Sequence, residues 1–237
     1  MSQVFETKLN ALGITLTDIQ KQQFDKFFEL LVEWNKVMNL TGITEYEEVN
    51  EKHFVDSVSL VKAIDINKID TVIDIGTGAG FPGIPLKIAF PHLKVVLLDS
   101  LNKRINFLNT VIKELGLNDI KTIHGRAEDF AKQEEYREQF DLCVSRAVAN
   151  LTSLSEYCIP YVKVGGLFIP YKSGEIDEEV LQAKKAIHIL GGELKKIIKF
   201  QLPDTEINRS FVKIIKIQST EKRYPRKAGL PTKEPLS

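Results

Sequence analysis

The sequence predicts an α/β fold: a mostly parallel sheet of seven strands with helices on both faces, behind an N-terminal helical extension. Three observations predict it. Apolar residues in the first 65 positions recur at helical spacing. From Asp70 onward, short apolar runs alternate with helical stretches, as in parallel strands joined by crossover helices. The first of these runs ends in a glycine-rich turn, Gly76-Thr77-Gly78-Ala79-Gly80, of the kind that joins a strand to a helix.

The elements follow in order. Gly13 ends a short opening helix. Thr17 is a candidate N-cap, with Gln20 at the capping-box position. Ile19, Phe24, Phe27, Phe28, Leu30, Leu31, Trp34 and Met38 then mark an amphipathic helix. A polar break at 39–44 precedes a second helical stretch, about 46–63. Strands are expected at 71–75, 94–98, 121–124, 141–145 and 166–170, with helices between them, among them 103–115 and 177–190. Two further strands, near 194–200 and 211–217, suit a hairpin at the sheet edge. The stretch 222–233 is basic, rich in proline and without periodicity, which predicts an extended tail. The expected division is an extension at 1–65, a core at 66–218 and a basic tail at 219–237.

Bulk properties narrow the function. With 237 residues and 43% hydrophobic content, the chain can bury a core without disulfides or metals. Its 32 basic and 32 acidic residues cancel, which argues against a protein that simply coats nucleic acid. Between Met1 and Asp70, 12 acidic residues outnumber 7 basic ones, so the extension is no RNA-binding arm by charge alone. Cys143 and Cys158 sit in apolar contexts and read as buried thiols. His53, His92, His124 and His188 are scattered, and no metal site is expected. The first residues lack the pattern of a signal peptide, and no run reaches the roughly 18 to 20 apolar residues of a membrane helix. The expectation is a cytoplasmic monomer with no membrane contact.

The chemistry gathers at the ends of the strands. In Gly76-Thr77-Gly78-Ala79-Gly80-Phe81 the glycines let the backbone approach a ligand closely, and amides at the helix start can bind it. A tight turn with no ligand is the alternative. Asp99, 23 residues after Gly76, ends the second strand, where an acid bonds ribose hydroxyls; a helix-capping aspartate is the other reading. Dinucleotide enzymes favour G-x-G-x-x-G, which holds a pyrophosphate. Here the spacing is G-x-G-x-G, preceded by Asp74. S-adenosyl-L-methionine carries no phosphate and is cationic at its ammonium and sulfonium, so Asp74 suits it better than NAD. This places the core among Rossmann-like class I methyltransferases. Ala127 and Glu128, after the third strand, are positioned either for the adenine or as an ordinary helix start. Arg146, after the fourth strand, faces the site, where it can hold a substrate phosphate or the donor's carboxylate; a surface salt bridge is the alternative. Lys172 is a weaker candidate of the same kind.

Absences are informative too. Ser145-Arg146-Ala147-Val148 stands where enzymes that methylate exocyclic nitrogens carry an Asn-Pro-Pro-Tyr-like tetrad. There is no Pro-Cys nucleophile, and Cys143 lies inside a strand. An acceptor that is already nucleophilic, such as guanine N7, needs neither, and alignment does most of the work.

Nearly the whole chain resembles the bacterial glucose-inhibited division protein B family, which methylates N7 of a guanine in 16S ribosomal RNA. The resemblance rests on Trp34-Asn35 and Asn39-Leu40-Thr41, on His53-Phe54-Val55-Asp56-Ser57, on 74–82 and on Asp99-Ser100-Leu101-Asn102-Lys103-Arg104. Arg126-Ala127-Glu128, Ser145-Arg146-Ala147 and Tyr224-Pro225-Arg226-Lys227-Ala228-Gly229 complete it. It implies donor contacts by Gly76, Phe81, Ala127, Glu128 and Arg146, to which the ribose reading adds Asp99 and the glycine turn adds Gly78. It implies 16S ribosomal RNA or the small ribosomal subunit as partner, and it assigns no general base. Lys103, Arg104, Arg126, Lys172, Arg226 and Lys227 are the candidates for an RNA-facing patch. Trp34, Asn35, His53 and Asp56 read as packing and capping residues. A methyltransferase of a small molecule or protein, and a non-catalytic regulator that binds the nucleoside, are the competing readings.

Overall fold

The structure, a computed structural model, describes residues 2–236. Local capping starts the extension. Ser2 Oγ accepts from the Phe5 amide at 3.2 Å to open α1 (Gln3–Ala11). Thr17 and Gln20 form the expected capping box of α2 (Asp18–Met38), with the Thr17 amide donating to Gln20 Oε1 at 2.8 Å. The helix stops at Asn39, whose φ of 49° only a small polar residue or glycine adopts readily. The second helical stretch is irregular. It passes from α3 (Tyr46–Val49) through a π-helical segment (Asn50–Val55) and α4 (Asp56–Val58) into a 3-10 turn (Ser59–Lys62).

The core alternates as expected: β1 (Thr71–Ile75), α5 (Gly83–Ala89), β2 (Lys94–Asp99), α6 (Asn102–Glu114), β3 (Ile120–His124), α7 (Ala127–Phe130), β4 (Phe140–Arg146), α8 (Leu151–Cys158), β5 (Val162–Ser173), α9 (Asp177–Ile189), β6 (Gly192–Gln201) and β7 (Asn208–Lys216). The strands form one seven-stranded sheet in the order β3-β2-β1-β4-β5-β7-β6. The first five are parallel, with Val72 opposite both Val95 and Leu142. β7 runs antiparallel to β5 and to β6, which makes the expected edge hairpin. From β1 the chain first winds outward to β3 and then returns to β4 on the other side. That reversal opens a crevice beyond the carboxyl ends of β1 and β4, where ligands of open α/β sheets bind.

Strand alternation divides the core in two. Val72, Val95, Leu97, Leu142 and Val144 face α2, α5, α6 and the irregular helical run. Ile73, Ile75, Val96, Leu98 and Cys143 face α8 and α9. Cys143 and Cys158 are buried free thiols, as expected. Aromatic packing fastens the extension to the core: Phe27, Phe54 and Phe81 lie with ring centroids 5.3 to 6.1 Å apart.

Two expectations need correcting. The strand expected at 166–170 runs through Val162–Ser173, because it is flanked on one side by β4 and on the other by β7. The tail is not extended. Tyr224, Pro225 and Pro231 are buried, and a short helix, α10 (Leu230–Lys233), follows. The Arg137 guanidinium donates to the carbonyls of Thr220, Glu221 and Tyr224. Arg226 grips Glu156 of α8, which is 1% exposed, by a bidentate pair whose shortest contact is 2.7 Å. Such a segment has no period because side chains of the core hold its backbone, not a ladder of its own.

Candidate active site

The glycine loop is built for close approach. Gly76 and Thr77 both donate their amides to the Leu98 carbonyl, at 2.8 and 3.1 Å, which pins the turn over the end of β2. Gly76, Gly78 and Gly80 have φ values of 68°, 60° and 92°. A Cβ on Gly76 would stand 2.5 Å from Val148 Cγ2, whereas one on Gly78 would meet only the Gly76 carbonyl oxygen, at 4.0 Å. Asp74 is fully buried and turned into the loop. Its Oδ2 accepts from the Thr77 hydroxyl at 2.7 Å and from the Gly83 amide at 2.9 Å. Burial pushes its carboxyl up to about 6, against the Thr77 and Gly83 donors that pull it down. Among the described residues, Asp74 Oδ1 is a buried polar atom with no hydrogen-bond partner. An orphaned carboxylate oxygen beside a loop of positive-φ glycines fits a ligand with a cationic group.

Asp99 lies on the far side of the loop, 2% exposed. Its Oδ2 accepts from the Gly78 amide at 2.9 Å and from Arg104 Nη1 at 3.2 Å, while Oδ1 accepts from the Leu101 amide. The same carboxylate therefore fixes the loop and bonds the amide that leads into α6, in keeping with the helix-start reading of Asp99. The Gly125 amide bonds the Asp99 carbonyl at 3.0 Å and draws the start of α7 alongside. Ala127 and Glu128 are buried there: the Tyr161 hydroxyl donates to the Ala127 carbonyl at 2.6 Å, and Glu128 Oε1 accepts from the Gly229 amide of the folded tail at 3.0 Å.

Arg146 closes the other wall. Its Nη1 donates to Asp56 Oδ2 at 2.8 Å, Nη2 stands 3.3 Å from His53 Nδ1, and the guanidinium lies 5.0 Å from the Phe81 ring centroid. Phe81 is 5% exposed and stacks on His53, with centroids 4.5 Å apart, so its ring turns toward the extension. His53 Nε2 lies 2.8 Å from Thr41 Oγ1. Burial first, then the Arg146 charge, hold the His53 imidazole down to about 4, so it is neutral at neutral pH. Asp56 also accepts Arg209 Nε at 2.7 Å, on Oδ1. These residues border a cavity of about 530 Å³ whose wall includes Lys52, His53, Asp56, Arg146, Tyr171 and Arg209. A second cavity, about 520 Å³, lies against the amino ends of β2 and β3 near Lys94 and Asp119, away from the switch point.

The structure thus gathers Gly76, Gly78 and Asp99 at the switch point, sets Ala127 and Glu128 next to Asp99, and places Arg146 across the loop. The six candidates for RNA contact divide. Lys103, Arg126 and Lys227 are exposed. Arg104 is bound to Asp99, Lys172 pairs with Glu179 at 2.7 Å and donates to the Ala149 carbonyl, and Arg226 is held by Glu156. Trp34 packs on Phe107, and Asn35 Oδ1 caps the Thr41 amide at 2.9 Å, as packing and capping residues do. His53 and Asp56 instead face the cavity. Arg209 escaped the sequence reading, since 153 positions separate it from Asp56. The signal that was available is the His53 to Asp56 spacing of three, which sets both on one helical face.

A family model described as rRNA small subunit methyltransferase G matches residues 20–208. The chain is 56% identical over 228 residues to the Ribosomal RNA small subunit methyltransferase G of Lachnoclostridium phytofermentans, covering 96% of this chain and 94% of that one. It is 55% identical to the protein of the same name from Brevibacillus brevis, over 98% of each chain. Among solved structures, the fold is similar to the YcgJ protein of Bacillus subtilis, with a TM-score of 0.53 and 13% identity over 70% of this chain and all of that one. It is similar to the same degree (TM-score 0.53, 13% identity, 69% and 62% covered) to TYW2 of P. horikoshii, solved in complex with MeSAdo.

Proposed function

The chain belongs to the rRNA small subunit methyltransferase G family and is an rRNA methyltransferase; on that premise we propose that it methylates N7 of one guanine in 16S ribosomal RNA at the switch-point crevice. The observation that carries the reading is the glycine loop between Asp74 and Asp99, with an orphaned carboxylate oxygen on one side and Arg146 across it. S-adenosylmethionine, when bound there, supplies an electrophilic methyl group. Gly76 and Gly78 would hold it with their backbone, Asp99 at its ribose, Ala127 and Glu128 at its adenine, and Phe81 and Arg146 near its amino-acid part. Asp74 supports the loop from beneath and offers negative charge to a cation.

Guanine N7 carries a lone pair in the plane of the ring and no proton. The residues therefore have to align and desolvate it, not deprotonate it. That suits a site whose nearest imidazole, His53, is kept neutral but is fully occupied with Thr41 and the Lys52 carbonyl. Exposed Lys103, Arg126 and Lys227 supply charge for an RNA backbone. With no net charge, the chain suits a structured RNA or an assembled small subunit better than any loose strand. The reaction then takes place in the cytoplasm, where ribosomal RNA is, with a monomeric enzyme whose extension (1–65), core (66–218) and basic tail (219–237) act together. Among the described residues, no helix is long and apolar enough to cross a membrane.

The test is incubation with methyl-labelled S-adenosylmethionine and unmodified 16S RNA, free and in small subunits, followed by N7-specific chain cleavage. Label at one guanine, absent with Gly76→Asp, is expected. No label in either substrate, in a protein that binds the donor, would overturn the reading.

A further inference from the structure

The cavity of about 530 Å³ beside Arg146 lies between the extension and the sheet, with walls from the π-helical segment, β4, β5 and β7. It is the size of a pocket for one small ligand and far too small for a duplex. Four basic side chains (Lys52, Arg146, Lys172, Arg209) and two acidic ones (Asp56, Glu179) line it, and His53 adds no charge. The excess is positive, which suits an anionic occupant.

Asp56 is the hinge of this arrangement. Its side chain is 4% exposed, and each of its oxygens holds a different arginine: Oδ2 takes Arg146 Nη1 at 2.8 Å, and Oδ1 takes Arg209 Nε at 2.7 Å. One buried carboxylate on the extension thus sets the guanidinium planes of two residues on different strands. Arg209 spends Nε on Asp56 and Nη1 on the Asn208 carbonyl, while among the described residues its Nη2 makes no hydrogen bond, and the side chain lines the cavity. A guanidinium with one edge fixed and another presented is a preorganised phosphate contact. The backbone also singles out this segment, since π-helical turns are rare and concentrate at functional sites.

We propose that this cavity is the acceptor-nucleotide pocket, in which Arg209 takes the phosphate of a purine nucleotide turned out of its RNA, and that Asp56 is the positioning residue that sets Arg209 and Arg146 for it. The proposal rests on the rRNA-methylation reading. An enzyme acting on a base inside a structured RNA has to bring that base out of its stack, and the phosphate beside it is the handle common to every nucleotide. With the donor loop across Arg146 from this pocket, the base edge and the donor share one wall.

The experiment compares wild type, D56N and R209Q on unmodified small subunits and also measures binding of guanosine 5′-monophosphate and guanosine. Nucleotide binding is read by equilibrium dialysis in the presence of S-adenosylhomocysteine. Loss of one charge-assisted hydrogen bond predicts an R209Q KM for subunits about tenfold higher, with kcat within about twofold. Misplaced arginines predict a D56N kcat/KM lower by about 100-fold. Donor affinity, from dialysis with labelled donor, stays at the wild-type value in R209Q; in D56N, which also frees Arg146, it falls by far less than kcat/KM does. Wild type prefers the monophosphate to guanosine, and R209Q loses that preference. If wild type labels no RNA at all, it is the rRNA reading that fails. If wild type labels RNA and both variants match it, or the monophosphate and guanosine bind wild type alike, the pocket assignment fails. An equal loss of donor binding and turnover in D56N would reduce Asp56 to a structural tie. Should D56N not fold, R209Q and the two nucleotide ligands decide the matter.

Discussion

At Gly76 two independent constraints meet. The φ of 68° lies where a Cβ costs about 1–2 kcal/mol, and that Cβ would stand 2.5 Å from Val148 Cγ2. Val148 is exposed on the loop after β4 and can move, so the protein tolerates the change better than the site does. Gly76→Ala is expected to weaken donor binding by at least about tenfold while lowering stability by no more than about 2 kcal/mol. Equilibrium dialysis with labelled donor, beside a denaturant titration, checks both. Unchanged affinity would remove the loop from the donor site. Asp74 shows how residue type and residue role part company. An acid before the glycines was legible in the sequence. That its Oδ2 is spent on Thr77 and Gly83 while Oδ1 stays unpaired depends on the curl of the loop.

Among the elements, the tail departs furthest from expectation. Its charge and prolines predict an extended basic tail, yet Tyr224 and Pro231 are buried and Arg226 neutralises a carboxylate sealed inside α8. Removing one partner of a buried pair leaves the other charge uncompensated. Arg226→Gln is therefore expected to cost about 3 kcal/mol. For a chain of this size that lowers Tm by about 6–12 °C. Replacing Glu156 and Arg226 together by methionine should restore most of the loss, which thermal unfolding of the pair of variants would show. A variant as stable as wild type would mean the tail is not held by this pair. The tail also reaches the start of α7, beside the proposed donor site, since the Gly229 amide bonds Glu128. Helix α2 behaves in the opposite way. Its capping box and apolar stripe are local, and the structure keeps the box and buries Phe24, Phe27, Leu30 and Leu31 of the stripe, while Ile19, in the first turn, is left exposed.

For the molecule as a whole, folding stability carries the signature of His53, which is buried where the extension meets the core. Folding lowers its pKa from the ordinary 6.5 to about 4, first by burial and then by Arg146. Between those values the unfolded chain binds the proton and the folded chain does not. The His53 contribution is thus fully present above about pH 6.5 and is lost as pH falls toward 4. Asp74 acts with the other sign, since burial raises its pKa from 3.8 to about 6, so its share of stability is lost as pH rises through that range. The two overlap, and the difference between wild type and His53→Gln isolates the first. Denaturant titrations from pH 7 to 5 should show wild type losing more stability than the variant. Parallel curves would mean that the imidazole is not buried in solution.

Periodicity and turn chemistry were enough to read the α/β class, the seven strands, the edge hairpin and the glycine-rich turn from the amino-acid order, because those features depend on neighbours a few positions apart. Family motifs added the substrate. The pairing of Asp56 with Arg209 and Arg146, the role of His53 at the cavity and the folded tail were not legible. Each joins segments separated by 70 to 153 positions, and local spacing holds no information about which distant polar groups the folded sheet brings within hydrogen-bond distance. Burial then decides what those charges do, by denying them water until a partner from another element supplies the missing bond.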